Sequence, residues 1–355
     1  MRAAILKSFG SPLVVEAVPD PVIGSGEIVV DVVAARVLAY AGDVFSGKRG
    51  YLLTPPMIPG AGGVGRVRAV GPDAAALAVG DWVLCDPTVR SRDDALTPAI
   101  VLQGLTAGDE RGQRLQRYFH DGSWAERVRI PTENAIPLGP IDAARATAWA
   151  TIGSCLVPYG GLVAAGLQAG ETVVVNGATG AFGSAGVAVA LAMGAACVIA
   201  TGRNQAALDD LVRRFGKRVR PAAMAADEDA DRRRILAAAP GAIDCVLDLL
   251  PPAATAAQVR AALLTVRPHG RVVLMGGLQS ELQLPYAWLM RNCVTVQGQF
   301  MYSRDSIGRL IALVRAGLLN LDESEVTTFK LDDVNDAIAH AAAHAGPFKS
   351  TLLCP

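Results

Sequence analysis

Charge is missing from a long stretch of this 355-residue sequence, because no Asp, Glu, Lys or Arg lies between Glu171 and Arg203. About 18 consecutive apolar residues are enough for a membrane-spanning helix. Glycines interrupt this run, however, and it passes from β-branched residues at 172–175 to an Ala- and Val-rich segment at 184–193 and a second apolar segment at 197–200. This order predicts a strand, a turn, a buried helix and a second strand, and not a membrane span.

Net charge is also missing, since 33 Lys and Arg residues balance 33 Asp and Glu residues. No overall field attracts nucleic acid or an anionic membrane surface, so we expect neither as a partner. Residues 1–20 contain Glu16 and Asp20 and lack an apolar signal core, which favours a cytoplasmic location.

Metal and disulfide patterns are absent as well. The six cysteines stand singly, without a CxxC motif or a Cys/His cluster. We therefore expect neither a structural zinc lobe nor a disulfide scaffold, but reduced and mostly buried thiols. His340 and His344 have helical i, i+4 spacing, but no Glu lies between them, and a metal pair is not expected there.

The charge-free run does contain a glycine-rich loop, Asn176–Gly183, with the pattern AxGxxG from Ala178 onward. Gly180 is expected to permit a backbone conformation that a side chain would obstruct and to let the main chain approach a pyrophosphate, while Gly183 lets the helix pack tightly on the strand. The N–H groups and dipole at the helix start then attract phosphates. A plain strand-to-helix turn is the alternative. The candidate cofactor residues of the loop are Gly180, Ala181, Phe182 and Gly183.

The end of the second predicted strand indicates which cofactor binds. An NAD site usually has Asp or Glu about 20 residues past the loop, whereas an NADP site often has Arg for the 2′-phosphate. No carboxylate stands here, and Arg203 is available for a charge-assisted pair, although it alternatively solvates a surface loop. We favour NADP(H). The candidate contacts are Thr201, Gly202, Arg203 and Asn204.

The rest of the chain predicts two kinds of architecture. Residues 1–90 contain short extended runs separated by Gly and Pro turns, which is typical of a β-rich domain. Residues 91–122 are polar and indicate an excursion or lid, after which 122–126 return to a strand. From 141 to 277 strand and helix patterns alternate, which predicts an α/β fold with a doubly wound parallel sheet, the Rossmann architecture.

These pieces resemble the medium-chain dehydrogenase/reductase superfamily over nearly the whole chain, and within it the zinc-independent branch similar to quinone oxidoreductases. The matching segments are IPGAGGVG at 58–65 for PGHExxG, VGDWV at 79–83 for VGDxV, GSWAE at 122–126 for GGxAE, and AGETV at 169–173 for PGETV. The resemblance implies a β-rich GroES-like catalytic domain at 1–140 and 285–355, and a Rossmann dinucleotide-binding domain at 141–284.

The chain departs from the zinc-bearing relatives at their metal ligands. Those enzymes hold catalytic zinc with a Cys three residues before an Asp, and with the His-Glu of PGHE. Here Tyr40 stands three residues before Asp43, and Ala61 and Gly62 replace the His-Glu. Cys155 lies near the position of a third ligand, but one thiol cannot hold zinc, so we expect no metal.

Without a metal, hydride transfer needs hydrogen-bond donors or an acceptor that delocalises charge. Quinones and conjugated enones delocalise it well, and a simple ketone or aldehyde needs a donor at its oxygen. By resemblance, Tyr40 at the lost ligand position and Tyr51, where the quinone-reductase branch often carries a tyrosine, are the candidate donors. Each ring alternatively packs in the core with its hydroxyl tied to the backbone. Asp43 completes the candidate catalytic set as an orienting group.

The resemblance implies further cofactor contacts at the ends of later strands and near the C-terminus. Lys349 resembles the lysine of the family's C-terminal GK segment, although Phe348 stands where the family usually has glycine. Ordinary core, turn and surface roles are the alternatives for the whole set. Its members are Leu249, Leu250, Gly276, Gly277, Phe300 and Lys349.

The sequence therefore predicts an NADPH-dependent, zinc-independent oxidoreductase that transfers hydride to a quinone, an enone or a related carbonyl. A zinc-free alcohol dehydrogenase or ketone reductase is the alternative enzyme. A non-catalytic NADPH-binding sensor is the alternative of another class. A homodimer is expected through an edge strand at 294–298, and the substrate is expected to be a small molecule whose identity the sequence leaves open.

Overall fold

A computed structural model describes residues 1–355, which form two compact units. The first unit consists of Met1–Gly153, Leu321–Ala345 and Lys349–Pro355, and the second of Ser154–Asn320 and Gly346–Phe348. The predicted domains place 285–320 in the first domain, but these residues belong to the second unit, because their strand extends its parallel sheet. Residues 141–153, predicted as the start of the Rossmann domain, belong to the first unit.

The chain alternates short strands and helices throughout. The strands are β1 (Arg2–Ile5), β2 (Val14–Ala17), β3 (Glu27–Val37), β4 (Gly63–Val70), β5 (Trp82–Cys85), β6 (Thr88–Arg90), β7 (Ile100–Leu102), β8 (Thr106–Ala107), β9 (Arg127–Pro131), β10 (Ala135–Pro137), β11 (Thr172–Asn176), β12 (Cys197–Gly202), β13 (Val219–Ala223), β14 (Cys245–Asp248), β15 (Arg271–Leu274), β16 (Thr295–Gly298), β17 (Glu325–Lys330) and β18 (Lys349–Cys354). The helices are α1 (Ala41–Phe45), α2 (Glu110–Gln116), α3 (Ala146–Ala150), α4 (Gly153–Ala164), α5 (Ala181–Ala192), α6 (Gln205–Phe215), α7 (Glu228–Ala238), α8 (Ala256–Leu263), α9 (Tyr286–Arg291), α10 (Arg304–Arg315) and α11 (Val334–Ala343).

The main sheet of the first unit has seven strands around the long strand β3. The order is β10-β5-β4-β3-β18-β17, and β9 pairs with the first half of β3. β3 is antiparallel to β4, β9 and β18, while β17 and β18 are parallel. The candidate catalytic residues lie in and around α1: Tyr40 just before the helix, Asp43 within it and Tyr51 after it.

The polar segment predicted as an excursion is a folded lobe. β6, β7 and β8 form an antiparallel sheet, and Val89, Val101, Ala107 and Phe119 form a small apolar core of their own. Residues 122–126 are not the strand that the sequence predicts, because the N–H groups of 122–124 donate to carbonyls of 58–60; the strand β9 begins only at Arg127.

The second unit is built on a six-stranded sheet in which every neighbouring pair is parallel. The order is β13-β12-β11-β14-β15-β16, with β11 fully buried near the centre. The charge-free run forms β11, α5 and β12, as predicted. No helix in the structure has both the length and the apolar character needed to cross a membrane. All six cysteines are free thiols in the structure, and four of them are buried.

Candidate active site

The glycine loop joins β11 to α5 at the carboxyl edge of the parallel sheet. Gly183 has no room for a side chain, because a Cβ there would lie 2.0 Å from the carbonyl oxygen of Gly177. The prediction for Gly180 is wrong in one respect: its φ of −92° is accessible to any residue. The left-handed conformation that favours glycine occurs at Gly177, with φ of +90°. The sharp turn therefore depends on Gly177. The close packing of α5 against the loop depends on Gly183.

The start of α5 fits the phosphates of a dinucleotide. Gly180 is its N-cap, is exposed, and provides no side chain to cap the helix. The first N–H groups of a helix have no partner within it. A phosphate placed there accepts these hydrogen bonds and interacts favourably with the helix dipole. The candidate residues Gly180, Ala181, Phe182 and Gly183 all lie in this segment.

A buried chain of hydrogen bonds lies beneath the loop. The N–H of Gly177 donates to Oγ1 of Thr201 at 3.1 Å, and that hydroxyl donates to Oδ1 of Asn176 at 2.8 Å. Nδ2 of Asn176 in turn donates to Oδ1 of Asp248 at 2.8 Å. The three side chains come from the ends of β11, β12 and β14 and are at most 2% exposed. The conformation at Gly177 is thus fixed by Thr201, which the sequence predicts as a cofactor contact, and by the side chains of Asn176 and Asp248, whose pairing the sequence did not indicate.

Asp248 is a buried carboxyl group without a cationic partner. Burial raises the pKa of Asp248 to about 6, while the hydrogen bonds from Asn176 and the backbone N–H of Leu250 act in the opposite direction. A Cβ at Gly276 would lie 2.6 Å from Oδ2 of Asp248, so the glycine makes room for the carboxyl group. Asp248 therefore contacts the last residue of β11 and the loops that follow β14 and β15.

Of the four residues predicted to contact the cofactor here, Thr201 and Gly202 are the buried last residues of β12, and Arg203 and Asn204 follow the strand. Arg203 is exposed and forms no ion pair in the structure. The Asn204 side chain caps α6 by accepting a hydrogen bond from the N–H of Ala207 at 3.2 Å. At Gly202 a Cβ would lie 2.3 Å from Cγ2 of Thr179, so this strand end packs directly on the glycine loop. The guanidinium of Arg203 is the one cation of this segment.

The structure brings most of the other candidate cofactor residues to the same sheet edge. β14 ends at Asp248 and β15 at Leu274, so Leu249, Leu250, Gly276 and Gly277 lie just after the strands that they were predicted to end. The two loops are joined, because the N–H of Gly277 donates to the carbonyl of Leu250 at 2.8 Å. Phe300 follows the edge strand β16 and is 56% exposed.

The C-terminal pair divides between the two units. Phe348 belongs to the second unit, has φ of +52°, and donates its N–H to Oγ of Ser184 at 3.1 Å. Its ring packs against Phe215 of α6 with 5.7 Å between centroids. Lys349 belongs to the first unit, where its exposed ammonium group pairs with Glu325.

Two tyrosines predicted as proton donors lie together in the first unit. Tyr40 is the N-cap of α1, and its ring meets that of Tyr51 edge to face with 6.4 Å between centroids. Burial raises the pKa of the Tyr40 hydroxyl, as do the electrostatic influence of Tyr51 and a hydrogen bond with it. The Tyr40 hydroxyl therefore remains protonated at neutral pH and is suited to donate.

Arginines that the sequence analysis overlooked flank this tyrosine pair. Cζ of Arg49 lies 4.0 Å from the centroid of the Tyr40 ring. Arg49 and Arg36 both lower the pKa of Tyr40, in opposition to burial. The third predicted catalytic residue, Asp43, has an exposed side chain, and its carbonyl accepts hydrogen bonds from Oγ of Ser46 and the N–H of Arg49. Asp43 thus holds the turn that carries Arg49.

The residues at the zinc-ligand positions do not fit the metal. Gly62, where the zinc relatives have Glu, has φ of +74°, and a Cβ there would lie 2.6 Å from the carbonyl oxygen of Cys85. Tyr40 replaces the thiolate, and Ala61 has no donor atom. No three His, Cys, Asp or Glu side chains lie close enough together to hold a metal ion. A catalytic zinc of the usual kind has no donor set at these positions.

Comparison with known proteins supports the resemblance. Two family models match, described as "Alcohol dehydrogenase GroES-like domain" over residues 24–140 and "Zinc-binding dehydrogenase" over residues 181–316. An alcohol dehydrogenase of Moraxella sp. (strain TAE123) is 26% identical over 342 residues, which cover 95% of this chain and 94% of the relative. The chain belongs to the medium-chain dehydrogenase/reductase superfamily. It is an oxidoreductase of the alcohol dehydrogenase-like type within that superfamily.

Other alcohol dehydrogenases match along nearly the whole chain. An NAD-dependent alcohol dehydrogenase of Sulfurisphaera tokodaii is 25% identical over an alignment that covers 95% of this chain and 95% of the relative. The solved structure of alcohol dehydrogenase TADH from Thermus sp. ATN1 has a TM-score of 0.82 at 22% identity, covering 100% of this chain and 99% of that one. A cobalt- and zinc-bound alcohol dehydrogenase from Pyrobaculum aerophilum has a TM-score of 0.76 at 23% identity with the same coverage. These structures confirm the predicted fold class, a Rossmann parallel sheet with a GroES-like domain.

Proposed function

We propose that this member of the superfamily is an NADPH-dependent reductase that transfers hydride to a quinone, an enone or a related carbonyl without zinc. The observation that carries most weight is the packing at Gly62, which leaves no space for a ligand side chain where zinc relatives have Glu. Arg203, exposed and unpaired at the end of β12, supports the phosphorylated cofactor, because guanidinium pairs well with a phosphate.

Each part of the chain has a distinct role in this reaction. The bound cofactor supplies a hydride to the carbon of the acceptor, and the negative charge passes to the acceptor's oxygen. The first turn of α5 holds the pyrophosphate, and Arg203 with Asn204 holds the ribose phosphate. Tyr40 and Tyr51 donate hydrogen bonds to the acceptor's oxygen, and Tyr40 gives it a proton that solvent then replaces. The other proposed cofactor contacts are Thr201, Gly202, Leu249, Leu250, Gly276, Gly277, Phe300 and Lys349.

Calorimetric titration of the metal-free protein with NADPH and NADH tests the cofactor. Saturable binding that favours NADPH is expected, and absence of saturable NADPH binding contradicts the proposal. Oxidation of NADPH is then followed with a quinone, an enone and a simple ketone side by side. Faster turnover of the ketone identifies a zinc-free ketone reductase instead. Tight NADPH binding without oxidation by any acceptor identifies a non-catalytic sensor.

We also propose that the protein forms a homodimer through the outer edge of β16. This strand pairs only with β15, so its other edge has unpaired backbone groups. The neighbouring helix α9 exposes Tyr286 by 80% and Met290 by 57%. Antiparallel pairing of two β16 strands across a two-fold axis gives these backbone groups hydrogen-bond partners and covers the exposed side chains of α9. A monomeric mass in light scattering contradicts it.

A further inference from the structure

The proposed reaction places negative charge on an oxygen, and the residues at the zinc-ligand positions hold no metal to balance it. In metal-dependent enzymes a bound cation stabilises that charge in the transition state. Tyr40 stands where the zinc relatives have their first ligand, and its hydroxyl is a neutral donor. Stabilising this charge therefore requires another source of positive charge close to Tyr40.

Arg49 is the first such source. Its guanidinium lies over the Tyr40 ring, with Cζ 4.0 Å from the ring centroid, and its side chain forms no ion pair or hydrogen bond in the structure. The residue is only partly exposed. A guanidinium shielded from water in this way interacts more strongly with nearby charge than a fully solvated one does. Its five N–H donors remain available to an anionic oxygen.

Arg36 is the second source. Its backbone is fixed by Trp124, whose Nε1–H donates to the Arg36 carbonyl at 3.1 Å. A Cβ at Gly153 would lie 3.1 Å from Nη1 of Arg36, so the glycine leaves space for the guanidinium. Burial raises the pKa of the Tyr40 hydroxyl, and Arg49 and Arg36 act on that pKa in the opposite direction, in favour of the negatively charged form.

We propose that Arg49, with Arg36, supplies the positive charge that zinc supplies in the metal-bearing relatives, and so stabilises the enolate, phenolate or alkoxide formed beside Tyr40. This inference rests on the proposed function. Hydride adds to the acceptor's carbon, its π electrons move to oxygen, and the guanidinium groups lower the energy of that anion. The proton of Tyr40 then moves to the oxygen, and the arginine pair stabilises the tyrosinate until water reprotonates it.

Kinetics of arginine variants test the inference. Arg49→Met keeps the apolar stem and removes the charge, and kcat is expected to fall by about 100-fold, as for loss of one oxyanion donor. The dissociation constant for NADPH stays unchanged. Arg49→Lys restores part of the loss. The matched control is Arg66→Met, because Arg66 also lies over an aromatic ring, 4.6 Å from that of Trp82, without belonging to the candidate site.

A second measurement does not require turnover. A nitrophenol is titrated into the protein in the presence of oxidised cofactor as a probe of the acceptor position, and its visible absorption shows whether it is bound as the phenolate. The wild type and Arg66→Met are expected to favour the phenolate, and Arg49→Met the neutral phenol.

The outcomes separate the inference from the function on which it rests. An Arg49→Met protein that keeps wild-type kcat and binds the phenolate as tightly as the wild type overturns the inference and leaves the reductase in place. A wild type that binds NADPH but reduces no acceptor overturns both.

Discussion

Ionisation of Asp248 is expected to destabilise the second unit as pH rises, and the structure gives the size of the effect. Burial raises the pKa of this carboxyl group from 3.8 to about 6, and no charged side chain contributes to the shift. A shift of about 2 units corresponds to about 3 kcal/mol of unfolding free energy. Because the folded-state pKa is the raised one, this contribution is fully present below about pH 4 and is lost as pH rises through about 6.

The substitution Asp248→Asn isolates this contribution, since the amide does not titrate. The free energy of unfolding of the wild type, taken relative to the variant, is expected to fall by about 3 kcal/mol between about pH 4 and pH 7.5. Hydrogen exchange of the amides in β11 and β14, read by mass spectrometry on both proteins at each pH, measures the local stability of this unit. Comparing the two proteins at the same pH cancels the intrinsic exchange rates.

A constant difference between the two proteins over this range refutes the reasoning, because it means that Asp248 titrates at its ordinary pKa. If the wild type instead becomes more stable relative to the variant as pH rises, the reasoning is refuted more directly. In that case the hydrogen bonds from Asn176 and Leu250 outweigh the cost of burying the charge.

Three further predictions concern the same sheet edge. Gly183→Ala is expected to lower the free energy of unfolding by about 3 kcal/mol, whereas Gly180→Ala, with its nearest atom 3.6 Å away, costs about 1 kcal/mol or less in urea denaturation. Thr201→Val leaves the Gly177 N–H without its acceptor and is expected to cost about 2 kcal/mol, which Thr201→Ser restores. Arg203→Ser is expected to weaken NADPH binding about tenfold in calorimetry without changing NADH binding, and equal losses for both contradict the assignment.

The parts of the fold that the sequence predicts are those encoded locally. The β-branched residues of β11, the glycines of the loop and the Ala-rich helix α5 each determine their own conformation, so their order alone indicates the βαβ unit. β13 escaped prediction because Arg220 and Pro221 interrupt its short apolar pattern at the sheet edge. In α7 charged residues dominate, and only Asp231 and Ile235 are buried.

The candidate site is less accessible to sequence reasoning, because its polar groups act across strands. Asn176 and Asp248 end separate strands, and their hydrogen bond joins residues 72 positions apart. A polar residue at a strand end ordinarily indicates a turn, which conceals such a pairing. Arg49 is similar, because its position over Tyr40 depends on how the turn after α1 folds back. The signal available in advance was a polar residue closing each of two otherwise apolar strands.

The lobe of β6, β7, β8 and α2 has a consequence for protein engineering. Its core of Val89, Val101, Ala107 and Phe119 lies within the lobe, but β8 and α2 also form hydrogen bonds with Leu52, next to Tyr51, so changes are best confined to the turn around Leu96. Leu96, which is 95% exposed, lies at the tip of a turn in which the Asp94 side chain accepts the Thr97 N–H. Exposed loop tips of this kind accept inserted domains well. A fluorescent reporter or an affinity peptide placed after Leu96 is therefore a practical way to label or immobilise the protein.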